Sequence, residues 1–179
     1  MHYRAQRLSE LLEAKLSLAT PSFVLAARRR RSAAQQAGLR YERAVHAEFA
    51  GRYPDSWLPS PWFAYRTAAT PSVVNYAQTD ALHINPLAGV ITIIEVKKKH
   101  CAESYFQLHD KYLPLVSKCF GSLWEYRLVE LCEWYDPHVA YPTKPKLVQN
   151  LAQADPRSVC VHIWKPEKRW ERLVNECRS

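Results

Sequence analysis

The chain has no CxxC pair, no run of about 18 apolar residues and no excess of acidic side chains, and each absence closes a class of function. Its five cysteines (Cys101, Cys119, Cys132, Cys160 and Cys177) are widely spaced and odd in number, so neither a disulfide framework nor a zinc or iron–sulfur cradle is indicated. Buried free thiols in a reducing compartment are the expected state, which makes the cytoplasm the expected location. Without a long apolar run there is no membrane span to place. Met1 to Arg7 is followed by an amphipathic pattern instead of a signal-peptide core. Internal repeats, low-complexity tracts and domain linkers are also lacking, so the 179 residues are expected to form a single domain. Acidic residues number 17 against 25 Lys and Arg, a net charge of +8. That balance points to a polyanionic partner, with nucleic acid ahead of a membrane surface because no basic amphipathic helix stands apart from the core pattern.

What is present is concentrated between Gln78 and Lys97, QTDALHINPLAGVITIIEVK. Two β-type runs, Val73 to Asn85 and Val90 to Val96, flank Pro86-Leu87-Ala88-Gly89, which carries the Pro and Gly of a turn. The pattern predicts a hairpin. If Asn85 pairs with Val90, the register sets Asp80 opposite Glu95, with Cβ atoms about 4.5–5.5 Å apart. Side chains alternate with period 2, so Lys97 shares their face. Opposed like charges destabilise a sheet unless something neutralises them. A divalent cation would do so, since Mg²⁺ is typically held by one or two carboxylates while keeping waters and phosphate oxygens in its shell. Lys97 then supplies a point charge able to position or deprotonate a water and to neutralise an anionic transition state. A solvated strand end is the plain alternative. Against it, Glu95 interrupts an almost wholly apolar run of the kind that marks a strand covered on both faces, and a charge there needs a partner or an ion.

Ala5, Leu8, Leu12, Leu16 and Ala19 recur at helical spacing, so residues 1–20 are expected to form a peripheral helix. Thr20-Pro21 reads as the start of a second helix running to about Arg52, with Gly38 as a point of bending. Arg28, Arg29, Arg30 and Arg31 near its beginning read equally as a phosphate-contacting patch or a solvated surface. Farther along, Ala34, Gly38, Tyr41, Val45 and Phe49 form an apolar stripe with Glu42 in its middle and Glu48 toward its edge. A carboxylate so placed must neutralise, pair or bind a metal, which makes Glu42 a site candidate beside the alternative of a boundary salt bridge. Trp57, Trp62, Phe63 and Tyr65 lie among prolines on a loop and a short strand, Trp62 to Thr67, and are expected to cap a core before they stack on bases. After the hairpin, Lys98 and Lys99 are candidates for electrostatic attraction. A helix from about Ala102 to Leu113, ended or kinked by Pro114, carries Gln107 and Lys111 one turn apart, with Gln107 able to orient a water or phosphate. A strand at Tyr126 to Tyr135, a short helix near Leu147 to Gln153, a strand at Ser158 to Trp164 and a peripheral C-terminal helix within residues 165–179 complete the chain.

Asp80, fourteen residues and then Glu95-Val96-Lys97, between helices bearing Glu42 and Gln107, resembles the PD-(D/E)XK nuclease superfamily. The similarity spans roughly Gly38 to Tyr112. The Pro that names the motif is replaced by Thr79, a position at which the motif varies. The resemblance implies an α/β fold, a mixed four- to five-stranded sheet flanked by helices, as in the restriction-endonuclease-like core. It also implies Mg²⁺- or Mn²⁺-dependent cleavage of a phosphodiester bond in DNA. In that reading Asp80, Glu95 and the carbonyl of Val96 are metal ligands, Glu42 holds the metal directly or through water, Lys97 activates or orients the attacking water, and Lys98, Lys99 and Lys111 meet nucleic acid. The residues are similar to phage- or prophage-encoded members, for which an oligomer or a recombination or replication partner is compatible. Exonucleases of the lambda and RecB-like type carry a glutamine and a tyrosine one helical turn apart after the lysine. Here Gln107 and Tyr112 are five apart, about 140° from each other on an ideal α-helix. A binding protein on the same fold, with an acidic cluster that no longer turns over, is the competing expectation.

Overall fold

The structure, a computed structural model, describes residues 10–17, 20–21 and 32–166. Two sheets share the strands. A three-stranded antiparallel sheet is ordered β1 (Leu11–Ser17), β3 (Trp62–Thr67), β4 (Thr70–Gln78). A six-stranded mixed sheet is ordered β2 (Trp57–Pro59), β5 (Ala81–Asn85), β6 (Val90–Lys99), β7 (Glu125–Trp134), β9 (Val159–Ile163), β8 (Lys146–Val148). Strands β2, β5 and β6 pair antiparallel, whereas β6, β7, β9 and β8 run parallel. The fold is therefore α/β with a mixed sheet of six strands, wider than the expected four or five.

Helix α1 (Ala33–Arg52) covers one face of the large sheet. It begins at a capping box, in which Ser32 Oγ accepts from Gln35 N–H while the Gln35 side chain accepts from Ser32 N–H. Ser32 has extended backbone, so the helix starts there and is not continuous from Pro21. Arg28 to Arg31 lie outside the described residues. Tyr41, Ala44, Val45 and Phe49 bury against Ile94, Val96, Val129 and Leu131, and Tyr41 Oη donates to the carbonyl of Trp164, tying the helix to the end of β9. The opposite face of the sheet buries Ile91, Ile93 and Leu128 under a second helical segment that supplies Leu108, Tyr112, Leu115 and Val116. That segment runs as α2 (Ala102–Phe106), a π-helical stretch (Gln107–Tyr112) and α3 (Leu113–Phe120). It continues through Pro114 instead of ending there. Proline in a helix loses one hydrogen bond and crowds the carbonyl of the preceding turn, and the wider π-turn just before it gives the ring room.

The predicted hairpin turn forms at Pro86 to Gly89, with Gly89 at φ 65° and the Asn85 side chain accepting from Ala88 N–H. Its register is the expected one, Asn85 against Val90 through Ala81 against Ile94. Its first strand is not a single run from Val73, however. The pairs β2 with β5 and β3 with β4 form one antiparallel ribbon that keeps its register through a corner, where Ser60 and Pro61 face Thr79 and Asp80. Ser60 N–H donates to the Asp80 carbonyl (2.7 Å) and Thr79 N–H to the Pro61 carbonyl (3.2 Å). Ser60 takes φ 49° to make the bend. Half of the ribbon thereby leaves the large sheet for the small one.

Residues 1–20 are not a helix where they are described. Leu11–Ser17 pairs antiparallel with β3, setting Leu16 opposite Phe63, while Leu12, on the stripe read as helical, is half exposed. Strand pairing overrides the local helical spacing. The stretch near Leu147 divides into β8 and a 3₁₀ turn at Leu151–Gln153 in place of a short helix. The C-terminal helix expected after Pro166 lies outside the described residues.

Candidate active site

The corner of the bent ribbon presents Asp80. Its backbone is fixed by Ser60, and its Oδ2 accepts from the amide of Val96 on the neighbouring strand at 2.7 Å. Glu95, two per cent exposed, lies one residue beyond the last ladder pair and faces away from α1, because Ile94 and Val96 occupy the α1 side. Lys97 Nζ sits 2.5 Å from Glu95 Oε1. Glu95 Oε2 is buried with no hydrogen-bond partner. Asp80, Glu95 and Lys97 are thus brought together as the hairpin register requires.

Burial raises the pKa of Asp80, an effect that the Val96 amide and Lys97 oppose and Glu42 reinforces. Burial, then the charge of Asp80, pushes Glu95 up against the pull of Lys97. For Lys97, burial favours the neutral amine, but Glu95 and Asp80 outweigh it and the net shift is upward. The ammonium is held in place, and burial biases both carboxyl groups toward their protonated forms.

A cleft of about 540 Å³ opens beside this group, lined by Gln35, Gly38, Glu42, Asp80, Val96 and Lys97 among others. Glu42 reaches it from the other face of the sheet. Its Oε1 is 3.6 Å from His46 Nε2, which is 3.5 Å from Ser60 Oγ. Among the described residues no three His, Cys, Asp or Glu side chains converge closely enough to hold a metal alone. Glu42, Asp80 and Glu95 are therefore not a ready-made cage, because Glu42 and Glu95 are on opposite sides of the sheet with Asp80 at the edge between them. Glu48 is occupied elsewhere, paired with Arg52 at 2.6 Å.

From the second helical segment, Gln107 directs a buried Oε1 that has no partner, and Lys111 and Tyr112 lie near enough to Glu95 for their charges to couple. Burial lowers the Lys111 pKa and raises that of Tyr112, the latter with help from Glu95 and Asp80. In a π-turn the hydrogen bond spans five residues, so Gln107 and Tyr112 stand one turn apart on one side of the segment. The separation expected on an ideal α-helix does not apply. Lys98 lines the cleft and Lys99 lies beyond it, and they pair loosely with Glu133 (3.8 Å) and Asp136 (3.5 Å).

Two groups escaped the sequence reading. His46 stands one turn after Glu42, and that i, i+4 spacing was a usable signal. Glu130 is fully buried among His100, Cys101 and Tyr141. It interrupts an apolar run in β7 as Glu95 does in β6. Comparisons with protein-family models, curated proteins and solved structures give no match to this chain.

Proposed function

We propose that the chain is a metal-dependent deoxyribonuclease of the PD-(D/E)XK type, hydrolysing phosphodiester bonds at the cleft beside Asp80. The observation that carries this reading is the partnerless, buried oxygen of Glu95, held beside Lys97 and next to Asp80, two residues that themselves line the cleft. A buried carboxyl oxygen without a partner costs stability unless a proton or a cation meets it. The donor set fits a hard divalent ion, with Asp80 and Glu95 as carboxylate ligands, the Val96 carbonyl beside them and Glu42 acting through water. Bound Mg²⁺ or Mn²⁺ would supply charge for the phosphate oxygens and a more acidic water.

The chain's own groups do the rest. Asp80 is oriented by the Val96 amide, so its free oxygen is pre-aimed. Lys97, held against Glu95 as an ammonium, is positioned to orient a water and to meet negative charge on the phosphate. Gln107 keeps a buried, unpartnered amide oxygen on the segment that covers the Glu95 side of the sheet, and Tyr112 stands one π-turn away, an arrangement similar to the glutamine and tyrosine of lambda- and RecB-like exonucleases. Lys98, Lys99 and Lys111 add positive charge for a polyanion.

One observation favours a second reading, a catalytically silent nucleic-acid-binding protein: Lys97 already neutralises one oxygen of Glu95 without any metal. The two separate in one assay. End-labelled linear and closed circular DNA are incubated with Mg²⁺ or Mn²⁺, with wild type beside Asp80→Ala and an EDTA control. Cutting by wild type that is abolished by both Asp80→Ala and EDTA is expected. Salt-sensitive DNA retention with no cutting would give the protein to the second reading.

A further inference from the structure

A second hollow of about 590 Å³ adjoins the cleft, and Lys98 lines both. It lies at the carboxyl ends of β6 and β7, where open parallel sheets commonly receive ligands. Its wall holds Lys98, Lys99, Trp134, Tyr135, Asp136 and Pro137. Trp134 ends β7 opposite Lys99 and leaves 55 % of its surface exposed, an unusual placement for a large apolar ring beside a polar site. Lys165 Nζ lies 4.3 Å from the Trp134 ring centroid and steadies the indole. Tyr135 is packed against His100 with centroids 4.8 Å apart, so the neighbouring wall is also firm.

Resting on the nucleic-acid reading of the cleft, we propose that this hollow is a stacking subsite for an unpaired nucleobase, which makes single-stranded nucleic acid the substrate class. The Trp134 ring is the stacking surface, and Lys98 and Lys99 carry the backbone from the hollow to Asp80. Inside a duplex each base face is covered by its neighbours, whereas an unpaired base presents its face to the indole. Single-strand grooves combine such a platform with a cationic track. Lys98, Lys99 and Lys165 outnumber Glu133 and Asp136 here, and in the two long lysine pairs the lysines themselves are exposed, so they can exchange their carboxylates for phosphates.

The test is binding in EDTA, which takes cleavage out of the measurement. A fluorescein-labelled oligothymidylate, the same backbone with abasic sites and a blunt duplex are titrated with wild type, Trp134→Ala and Trp134→Phe, each checked for wild-type thermal unfolding. Trp134→Ala is expected to weaken oligothymidylate binding about tenfold, with Trp134→Phe restoring most of it and with the abasic strand and duplex indifferent to the change. Equal affinities of wild type and Trp134→Ala for oligothymidylate, or an equal loss on all three nucleic acids, would overturn the subsite. A protein that cuts nothing yet shows the Trp134 effect would lose the nuclease reading and keep this one. An active nuclease indifferent to Trp134→Ala would do the reverse.

Discussion

Glu95 and Glu130 are register partners on adjacent parallel strands, leave the same face of the sheet, and are both sealed from solvent. Their surroundings differ. Glu130 Oε2 meets His100 Nδ1 at 2.9 Å and accepts from Tyr141 Oη, while its Oε1 accepts from the Cys101 amide at 3.2 Å. His100 stacks on Tyr141, with Tyr105 edge-on beyond, so every donor to Glu130 is itself held. Glu95 has Lys97 on one oxygen and nothing on the other. A buried carboxylate with both oxygens engaged by protein donors fastens a fold. One that keeps a bare oxygen beside a second carboxyl group still has room for a proton or a cation.

Exchanging the two losses breaks the comparison most severely if it is wrong. Glu130→Ala strands three donors in a dry interior and is expected to cost about 3–5 kcal/mol in urea unfolding. Glu95→Gln is expected to change stability by no more than about 1 kcal/mol, because the lost attraction to Lys97 is offset by relief from Asp80. Metal-dependent cleavage by Glu95→Gln should fall about 10²–10³-fold. A stability loss at Glu95 equal to that at Glu130 would make Glu95 a structural residue.

Sequence legibility follows the same division. The hairpin register and the triad Asp80, Glu95 and Lys97 were readable because period-2 alternation and a Pro–Gly turn are local signals. Strands β3, β7 and β9 were readable for the same reason. The corner at Ser60 and Thr79 was not, since a bend between two sheets depends on a positive φ and on pairing across the ribbon, neither of which alters the local pattern. Nor was the π-turn, which buries Leu108 and Tyr112 together with Leu115 against the sheet and so depends on tertiary packing as well as on local spacing. Glu130 gave the same signal as Glu95, a charge within an apolar run, but its partners His100 and Tyr141 come from separate parts of the chain and only the fold unites them.

Titration sharpens the comparison further. In the fold, burial first and Asp80 second push the Glu95 pKa from 4.5 to about 8, so the folded chain retains a proton that the unfolded chain releases in between. Stability of the cation-free protein should therefore be fullest below pH 4.5 and decline as pH rises to about 8, with Asp80, also raised by burial, adding in the same direction. A divalent cation replaces the proton and should flatten the decline. Urea midpoints across this window, with and without Mg²⁺, measure it. A slope that survives in Glu95→Gln, or that ignores Mg²⁺, would remove Glu95 as its source.

The smallest effect belongs to the outermost support of Glu130. Tyr141→Phe removes one hydroxyl donor but leaves the ring to stack on His100, and Glu130 still accepts from His100 and Cys101. Hydrogen bonds to charged groups contribute about 1.5–3 kcal/mol, and with two partners remaining the lower end is expected in urea unfolding. Burial and the adjacent Glu130 both raise the pKa of Tyr141, so its hydroxyl keeps its proton throughout the range in which cleavage would be assayed. The variant should thus lose stability without losing activity. A Tyr141→Phe protein of wild-type stability and reduced cleavage would place the Glu130 network in the chemistry, and the contrast between the two glutamates would fail.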